Sequence, residues 1–474
     1  MTRFLLNVVF VASAAAQTYD LVLAGGRVMD PESGLDAVRD VGINGGKIAA
    51  ISTSSLIGRT RVDVAGAVVA PGFIDLHAHG QLPENYRLQA RDGVTTALEL
   101  EIGVSPVDAW YAERTGKSPI NFGASAGHVG ASMFVLGDTG VFLPRNAAIT
   151  TRPNAEQKER IETRVRLDLD HGALGIGLGI AYVPKSSREQ IFDVFRLAAL
   201  YQVPCFVHVR HGGRADPQGI AEALQEVLSD ALATGASLHI VHINSSASAA
   251  LPLALRMIEG ARRSGLDVTT EAYPYTAGQT NIDSAIFDEG WQEKMGITYK
   301  DLQWVETGER LTAESFARYR KQGGTVIAHS MSEDTIRMAM AHPMVMIASD
   351  SFLREGKGHP RSSGTFSRVL GRYVREEKIL PLMEGIRKMT LMPAQRLERA
   401  VPLMRHKGRI RVGADADITV FDAGRIIDRA TWEKPAEFSE GILHVLVSGV
   451  FVVRDGRFAG SGTPGVAIRR PRVQ

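Results

Sequence analysis

The stretch "PGFIDLHAHG", residues 71–80, ends a compact apolar segment with two histidines. His77 and His79 are two positions apart, so on a β-strand both side chains point to the same face. Two imidazoles on one face can hold a metal ion, although a histidine pair in a hairpin has the same spacing. The apolar strand directly before the pair favours the metal interpretation.

Four more apolar segments in the middle of the chain also end in polar or ionisable side chains. They are "VPCFVHVRHGG", "ASLHIVHINSS", "LDVTTEAYPY" and "PMVMIASDS", and their ends carry His208, His242, Tyr273 and Asp350. Amphipathic stretches such as "REQIFDVFRLAALYQ" lie between such segments. This alternation predicts a (β/α)8 barrel of the TIM type, in which catalytic residues sit at the carboxyl ends of the strands. His239, three positions before His242, is expected on the opposite strand face with a structural role.

The two ends of the chain have a different texture, with short alternating strands and glycine-rich turns. Examples are "DVGINGGKIAAIS" near the start and "HVLVSGVFVVRDGRFAG" near the end. The sequence therefore predicts an α/β protein in which residues 17–70 and 406–474 form one small β-sandwich. Residues 71–405 form the barrel inserted into it. Residues 276–325 are too long for a simple connection, so we expect an insert over the barrel mouth.

The composition excludes several classes of protein. The chain has 474 residues, of which 44% are hydrophobic and 22% charged, as is typical of a soluble protein with a large core. A formal net charge of only +2 argues against nucleic-acid binding. The basic end "AIRRPRVQ" is expected to be a solvated terminus. Cys205 is the only cysteine, which excludes intramolecular disulfides and a cysteine-based zinc site.

The first residues, "MTRFLLNVVFVASAAAQ", have one early cation, an apolar run and then small residues. This is the layout of a secretory signal peptide, with Ala14 and Ala16 placed for cleavage before Gln17. A buried N-terminal strand is the alternative, since Asn7 interrupts the run. No later apolar run approaches the ~20 residues of a membrane span. We therefore expect residues 1–16 to be removed and the mature protein to be exported, either to a periplasm or into the medium.

Four histidines and an aspartate at the strand ends predict a metal centre. Imidazole nitrogen and carboxylate oxygen together suit Zn2+, with one or two ions per chain, or a comparable divalent ion. Such an ion lowers the pKa of bound water from about 16 toward ~7 and so provides hydroxide at neutral pH. Asp350, beside the metal, is placed to take the hydroxide proton and pass it to a departing amine. The predicted chemistry is metal-assisted hydrolysis.

Several long segments resemble the amidohydrolase superfamily and, more specifically, its D-aminoacylase (N-acyl-D-amino-acid deacylase) group. They are "EAYPYTAGQT" (271–280), "SMSEDTIRMAMAHPMVMIASD" (330–350), "HPRSSGTFSRVLGRYVRE" (359–376) and "IRKMTLMPAQRL" (386–397). The resemblance runs along nearly the whole mature chain. It implies a hydrolase that cleaves the amide bond of a small N-acylated amino acid, with one or two metal ions at the barrel mouth. It places the first ion on His77, His79 and Asp350, and the second on His208 and His242.

The resemblance also implies substrate contacts. Arg361 matches the arginine that binds the substrate carboxylate, a bidentate role that lysine fills less well. Tyr273 matches a tyrosine that assists substrate binding and polarises the scissile carbonyl. His128, in "GASAGHVG", is expected to line the pocket, with a simple loop histidine as the alternative. Asn244 and Gln279 replace a lysine and a serine that face substrate in the group, so we expect an altered acyl or amino-acid preference.

The second strand, "GVTTALELEIG" (93–103), departs from the group. D-aminoacylases supply a cysteine ligand at the end of this strand, whereas this chain has two glutamates in the strand and no cysteine. A buried carboxylate needs a compensating cation, which the metal ions would provide. We therefore predict that Glu101 takes the place of the cysteine and bridges the two metals, with Glu99 as the alternative.

Three other functions stay open. The same metals would serve a hydrolase of a different amide or ester, such as a dipeptide, a lactone or an aryl amide. A cyclic-amide hydrolase is disfavoured because the fourth strand, "GALGIGLGIAYVP", carries no lysine, and Lys185 follows only after the turn. A non-catalytic scaffold would have lost metal ligands, whereas this chain keeps both histidine pairs and Asp350. A homo-oligomer is compatible with the sequence.

Overall fold

A long first strand organises the N-terminal part of the protein. The computed structural model describes residues 18–213, 217–460 and 462–472. The first strands are β1 Thr18–Asp30, β2 Leu35–Asn44, β3 Lys47–Ser52, β4 Ile57–Asp63 and β5 Val68–Pro71. Strand β1 pairs antiparallel with β2 and parallel with both β4 and β5. The predicted signal peptide lies outside the described residues.

Eight parallel strands form the barrel. They are β6 Phe73–Asp75, β7 Val94–Val104, β8 Asn121–Gly127, β9 Ile176–Gly179, β10 Pro204–His208, β11 Ser237–Ile240, β12 Val268–Ala272 and β16 Val345–Ile347. Two smaller sheets contain β13 Gly278–Asn281, β14 Leu302–Trp304 and β15 Thr325–Ala328, and β17 Leu353–Arg354 and β18 Lys357–Gly358. Strands β6 to β12 pair in chain order, and β16 follows β12. The two edges meet where Ala78 and Ser351 form a parallel bridge and the Ser349 amide donates to Asp75 Oδ1 at 3.0 Å. The predicted (β/α)8 barrel is confirmed.

Most of the helices connect the barrel strands and cover the outside of the barrel, and two belong to the segment after β12. They are α1 Pro83–Arg91, α2 Val107–Arg114, α3 His128–Leu136, α4 Ala147–Thr150, α5 Ala155–Asp170, α6 Arg188–Tyr201, α7 Pro217–Thr234, α8 Ile243–Ala247, α9 Leu251–Arg263, α10 Trp291–Met295, α11 Ala313–Gln322, α12 Glu333–Ala341, α13 Arg361–Arg368, α14 Leu382–Met389 and α15 Leu391–Leu397. Helix α6 shows why they form: the Ser187 hydroxyl accepts from the Gln190 amide at its start. Its residues Ile191, Val194 and Phe195 share one face and are buried in the core.

The segment after β12 forms a small subdomain with its own core. Strands β13 and β14 both pair antiparallel with β15. Aromatic side chains fill the space beside this sheet, with the Trp304 and Tyr319 rings stacked at 4.0 Å and Trp291 on Phe316 at 5.3 Å. Residues of this segment line the cavity at the barrel mouth, so the subdomain covers the site.

The C-terminal strands complete the sheet that the N-terminal strands begin. They are β19 Ile418–Phe421, β20 Ile442–Val447, β21 Val450–Arg454 and β22 Arg457–Phe458. Strand β19 pairs with β5, so both ends of the chain belong to one nine-stranded sheet. Leu23, Val41, Val69, Ile418 and Leu446 pack in its common apolar core. The barrel is therefore inserted into a sheet domain made from both ends.

The basic C-terminal segment is not a solvated terminus, and that prediction was wrong. Ile468 is fully buried in an apolar cluster with residues of the barrel strands and of α15. Its amide donates to the Phe122 carbonyl at 2.7 Å, and its carbonyl accepts from the Tyr111 hydroxyl at 2.7 Å. Arg469 forms an ion pair with Asp108. The segment packs against the barrel because Ile468, directly before the arginines, is apolar and is buried. Among the described residues, no helix is long and apolar enough to cross a membrane.

Candidate metal and catalytic centre

The carboxyl ends of five barrel strands bring the predicted metal ligands together. His77 and His79 follow β6, Glu101 lies near the end of β7, His208 ends β10, His242 follows β11 and Asp350 follows β16. Their ligand atoms fall into two groups that share Glu101. Within each group the atoms lie within 4.8 Å of one another. The alternation of strands and helices thus places side chains that are distant in sequence around one small volume.

The first group contains His77, His79, Glu101 and Asp350. The two Nε2 atoms of the histidines are 3.0 Å apart. Oε2 of Glu101 lies 3.1 Å from Nε2 of His77 and 3.0 Å from that of His79. Oδ1 of Asp350 lies 3.5 Å and 3.4 Å from the same two atoms. Two nitrogens and two oxygens therefore surround one point, a donor set that suits zinc.

The second group uses the other oxygen of Glu101. Oε1 lies 2.7 Å from Nδ1 of His208 and 3.0 Å from Nε2 of His242. The two imidazole nitrogens are 3.1 Å apart. One carboxylate thus faces both groups, in the bridging position that the sequence suggested for Glu101.

Divalent cations fit this arrangement. In each group two imidazole nitrogens lie about 3 Å apart beside an oxygen of Glu101, so one metal ion would be a common partner for all of these atoms. Burial disfavours the charged form of Glu101, but the imidazoles of His77, His208 and His242 outweigh it and hold the pKa of Glu101 well below its usual range. The carboxylate is therefore ionised and ready to bridge two cations.

Three further side chains orient the histidines. Glu271 Oε1 lies 2.6 Å from Nδ1 of His77, and Glu99 Oε2 lies 2.8 Å from Nδ1 of His79. Such a carboxylate accepts the Nδ1 proton and leaves Nε2 free for a metal. At His242 the Ser246 hydroxyl takes this place, at 3.1 Å from Nδ1. Glu99 is thus a partner of a ligand, while Glu101 belongs to both ligand groups.

Two of the ligands occupy the left-handed backbone region. Asp350 has φ 52° and His242 has φ 31°, values that side-chain-bearing residues adopt rarely. Such strain persists only where the surrounding structure fixes it, and it is concentrated at functional sites. At His242 the left-handed turn ends β11 and directs the imidazole toward Glu101.

Arg361 lies beside the first ligand group. Its Nη2 donates to Oδ1 of Asp350 at 2.9 Å, and its guanidinium lies over the Tyr273 ring at 4.5 Å. Burial raises the pKa of Asp350, but Arg361 and His77 outweigh it and lower that pKa. Nε and Nη1 of Arg361 are buried and have no partner among the described residues. These two donors are available for an anionic ligand.

A cavity of about 610 Å³ opens over the ligands. Tyr273 and Gln279 line it, as the sequence predicted. Burial raises the pKa of Tyr273 to about 12, so its hydroxyl stays protonated. The Gln279 amide donates to the Phe352 carbonyl at 3.0 Å, which fixes this side chain against the wall.

Two predicted substrate residues do not reach the cavity. His128 begins α3 and is buried, with Nε2 3.3 Å from the Gln190 amide nitrogen, so it lies outside the cavity lining. Burial and Arg210 lower the pKa of His128 to about 4. Asn244 lies behind Tyr273 and donates to its carbonyl oxygen at 3.1 Å. Each of the two residues follows its strand within a helical turn, which directs the side chain away from the mouth.

The expected placement of His239 was also wrong. The side chain lies inside the barrel, with Nε2 3.1 Å from Glu271 Oε2 and Nδ1 2.7 Å from the Thr269 hydroxyl. The prediction assumed that His239 and His242 lie on one strand with alternating faces. Strand β11 ends at Ile240, before the left-handed turn at His242, so the alternation does not extend to His242.

Sequence reasoning missed Glu271 and the aromatic wall of the cavity. Glu271 is a carboxylate in a largely buried strand, the same signal that drew attention to Glu99 and Glu101. The wall contains Phe142 and Phe352, whose rings stack at 5.7 Å, and Phe142 also contacts the His79 ring at 5.0 Å. No sequence spacing connects these two phenylalanines.

Comparison with known proteins agrees with this geometry. A profile described as the amidohydrolase family matches residues 135–453. An N-acyl-D-glutamate deacylase from Alcaligenes xylosoxydans xylosoxydans is 32% identical over 95% of this chain and 96% of that protein. A D-aminoacylase from the same organism is 30% identical over 95% of this chain and 98% of that protein.

Two solved structures of deacylases are also similar to this chain. An N-acyl-D-glutamate deacylase from Bordetella bronchiseptica, complexed with zinc and a phosphonate mimic of the tetrahedral intermediate, has a TM-score of 0.80 at 27% identity and covers 96% of this chain and all of that one. A D-aminoacylase has a TM-score of 0.79 at 28% identity and covers 95% and 100%. The chain belongs to the amidohydrolase family and, within it, to the D-aminoacylase group.

Proposed function

We propose that this protein is a metal-dependent hydrolase that cleaves the amide bond of N-acyl amino acids. The observation that carries the proposal is the position of Glu101, whose two oxygens face two histidine pairs beside Asp350 and Arg361. The similarity to an N-acyl-D-glutamate deacylase and a D-aminoacylase supports the same reaction. Zinc is the proposed ion, because the donors are imidazole nitrogens and carboxylate oxygens and because one structural neighbour contains it.

His77, His79, Glu101 and Asp350 would hold one ion, and Glu101, His208 and His242 a second. A divalent ion supplies Lewis acidity, which favours deprotonation of water and polarises a carbonyl group. The protein contributes fixed ligands, because His77, His79 and His242 each have Nδ1 already hydrogen-bonded and keep Nε2 for an ion. The ligand atoms would therefore need little rearrangement when a metal ion binds.

Arg361 is the proposed carboxylate-binding residue. Its Nε and Nη1 have no partner among the described residues, so either can donate to an oxygen of a substrate carboxylate while Nη2 stays on Asp350. The aromatic face of Tyr273 supports the guanidinium and limits its motion. The substrate carboxylate is thereby held next to the ligand groups, and the amide bond is aligned with them.

Asp350 is the proposed proton carrier. Its lowered pKa keeps it ionised in the free enzyme, so it can accept a proton from the attacking water. An amine leaves poorly unless its nitrogen is protonated, and the same carboxyl group can return the proton to that nitrogen. The protonated Tyr273 hydroxyl is a donor for the scissile carbonyl oxygen.

The cavity favours substrates with one carboxylate and apolar substituents. Its cationic side chains among the described residues, histidines aside, are Arg210, Lys294 and Arg361. Every donor nitrogen of Arg210 is already bound, to Glu226 or to the Pro184 and Ser186 carbonyls. Lys294 is solvent-exposed at the rim. Arg361 thus remains as the buried cation with free donors.

Part of the remaining wall is apolar, beside polar side chains such as Ser245, Thr280 and Asn281. Phe142, Phe352, Tyr182, Ile286 and Phe287 line the cavity. A second carboxylate in this space would be desolvated without a partner, whereas an apolar side chain or acyl group would be buried favourably. We therefore propose neutral, apolar N-acyl amino acids as substrates, in the D configuration that the relatives' names specify.

A hydrolysis panel tests the proposal. Zinc-loaded protein is offered the N-acetyl derivatives of D- and L-leucine, D- and L-phenylalanine, and D-glutamate, and release of the free amino acid is measured. Hydrolysis of the D-leucine and D-phenylalanine derivatives is expected, with D-glutamate slower. Activity only on dipeptides, lactones or aryl amides offered in parallel would contradict the proposal.

We also propose that the protein is exported. The support is the cation, apolar run and small residues of positions 1–16. N-terminal sequencing of the protein from its native host is expected to begin at Gln17. A mature protein that retains Met1 or Thr2 would contradict export by this route.

A further inference from the structure

A row of polar side chains crosses the barrel core behind His77. Nδ1 of His77 lies 2.6 Å from Glu271, and the other oxygen of Glu271 lies 3.1 Å from Nε2 of His239. Nδ1 of His239 lies 2.7 Å from the Thr269 hydroxyl, which in turn accepts from Nη1 of Arg396 at 3.4 Å. His77, Glu271 and His239 are fully buried. The row connects a predicted metal ligand with the opposite end of the barrel.

The donors and acceptors in this row fix the direction in which its hydrogen bonds run, from Arg396 toward Glu271. Arg396 has only N–H donors, so the Thr269 oxygen accepts from it and the Thr269 hydroxyl proton is free to point to His239. Burial outweighs Glu271 and lowers the pKa of His239, so this imidazole is neutral and carries one N–H. Because Nδ1 accepts from Thr269, the N–H is on Nε2 and donates to Glu271. Glu271 then accepts from Nδ1–H of His77, so Nε2 is the nitrogen of His77 that an ion would bind.

The alternative tautomer of His239 would break the row. With the proton on Nδ1, the Thr269 hydroxyl would turn away, and the lone pair of Nε2 would face the carboxylate of Glu271 in the buried interior of the barrel. Such a buried carboxylate oxygen without a donor is costly. Glu271 would then be less firmly held against His77, and outer partners of this kind tune metal affinity.

We propose that Thr269 and His239 are positioning residues that fix the orientation of Glu271 and the tautomer of His77, and thereby strengthen metal binding by the first ligand group. The inference rests on the metal centre of the proposed function. Neither residue touches the cavity, so they act through Glu271 alone. Arg396 anchors the far end, because its guanidinium also forms a bidentate pair with Asp267 at 2.8 Å.

The chain offers a matched control on the same strand. Thr270 is buried and its hydroxyl donates to the Ile240 carbonyl at 2.7 Å, so it makes a hydrogen bond as short as that of Thr269. Successive residues of a strand point to opposite faces, so Thr270 does not belong to the row. Thr269→Val and Thr270→Val each replace one hydroxyl by a methyl group. A purely structural effect of losing a hydroxyl would be similar in both.

The experiment measures zinc stoichiometry and affinity by competition with a chromophoric chelator, with thermal unfolding as a check on folding. In Thr269→Val the affinity of one of the two ions should fall by roughly tenfold or more, the range found for outer-sphere partners. Thr270→Val should keep the wild-type affinity, and Thr269→Ser should restore it. At saturating zinc, KM should stay unchanged in Thr269→Val because Arg361 lies outside the row.

A double mutant sharpens the test. Gln carries an amide N–H2 near the position of Nε2 of histidine and has no tautomers, so His239→Gln should keep the bond to Glu271. In the His239→Gln background, Thr269→Val should have no further effect on zinc affinity. Equal effects of Thr269→Val and Thr270→Val, or full additivity with His239→Gln, would overturn the inference. Wild-type protein that binds no zinc at all would overturn the proposed function as well.

Discussion

Nη2 of Arg361 donates to Oδ1 of Asp350 at 2.9 Å, so the proposed carboxylate-binding cation touches the proposed proton carrier. Substrate binding and proton transfer are therefore coupled through one contact. A substrate carboxylate that accepts from Arg361 shares the positive charge that stabilises ionised Asp350. The pKa of Asp350 should then rise on substrate binding, which suits a group that must take up a proton next.

Replacing Arg361 by lysine is expected to damage both binding and turnover. Lysine keeps the charge but loses the fork that contacts Asp350 and a carboxylate together. Steady-state kinetics on the D-leucine derivative should show kcat/KM lowered by about 100-fold, with KM raised. Arg368→Lys is the control, since Arg368 forms a partly buried ion pair with Asp428 outside the cavity lining. Equal losses in both variants would argue against a specific role for Arg361.

Asp350→Asn should separate metal binding from chemistry. The second ligand group does not contain Asp350, so at least one ion per chain should remain bound. Turnover should fall by about 10²–10⁴-fold, because the amide cannot accept a proton from water. Metal analysis and rate measurement on the same preparation check this. Near-normal activity would exclude Asp350 as the proton carrier.

Glu101 and Glu99 should respond differently to removal of their charge. Glu101→Ala removes an oxygen from both ligand groups, so zinc stoichiometry should fall. Glu99→Gln leaves every ligand in place and disturbs only the orientation of His79, so stoichiometry should hold while affinity falls by roughly 10–100-fold. Elemental analysis with chelator competition distinguishes the two results. Unchanged stoichiometry in Glu101→Ala would reassign the bridge.

Metal uptake should release protons. Burial lowers the pKa of His77, but the carboxylates of Asp350, Glu101 and Glu271 outweigh it and raise that pKa to about 10 in the metal-free protein. A raised folded-state pKa means that the proton is held below pH 10 and lost as the pH rises through it. An incoming ion must displace this proton, so zinc affinity should rise between about pH 7 and 9, by up to tenfold per unit for each proton. Calorimetry in buffers of different ionisation enthalpy counts the protons, and an affinity that is flat with pH would contradict the expectation.

The aromatic wall should govern selectivity among apolar substrates. Phe142→Ala removes one ring of the Phe142–Phe352 stack, and loss of apolar contact of this size is worth about 1–3 kcal/mol. We expect kcat/KM to fall at least fivefold for the D-phenylalanine derivative and much less for N-acetylglycine, which has little to bury. A uniform loss on both substrates would indicate damage to the metal centre through His79 instead.

The sequence was sufficient to predict the positions of site residues that lie in or near strands. His77, His79, Glu101 and His208 lie in or directly after strands, so their convergence followed from the alternation of strands and helices. It failed where the backbone leaves the strand. The left-handed turn at His242 invalidated position counting for His239, and the helical conformation of His128 turned it away from the mouth. Contacts between distant loops, such as that of Phe142 with Phe352, leave no pattern along the chain.

The burial of Ile468 in the barrel has a consequence for biosynthesis. Every barrel strand is synthesised before this residue, yet Ile468 fills part of the core among their side chains. On the ribosome the nascent barrel therefore stays unsealed until the C-terminal segment emerges. The apolar side chains that Ile468 contacts are therefore uncovered during that interval.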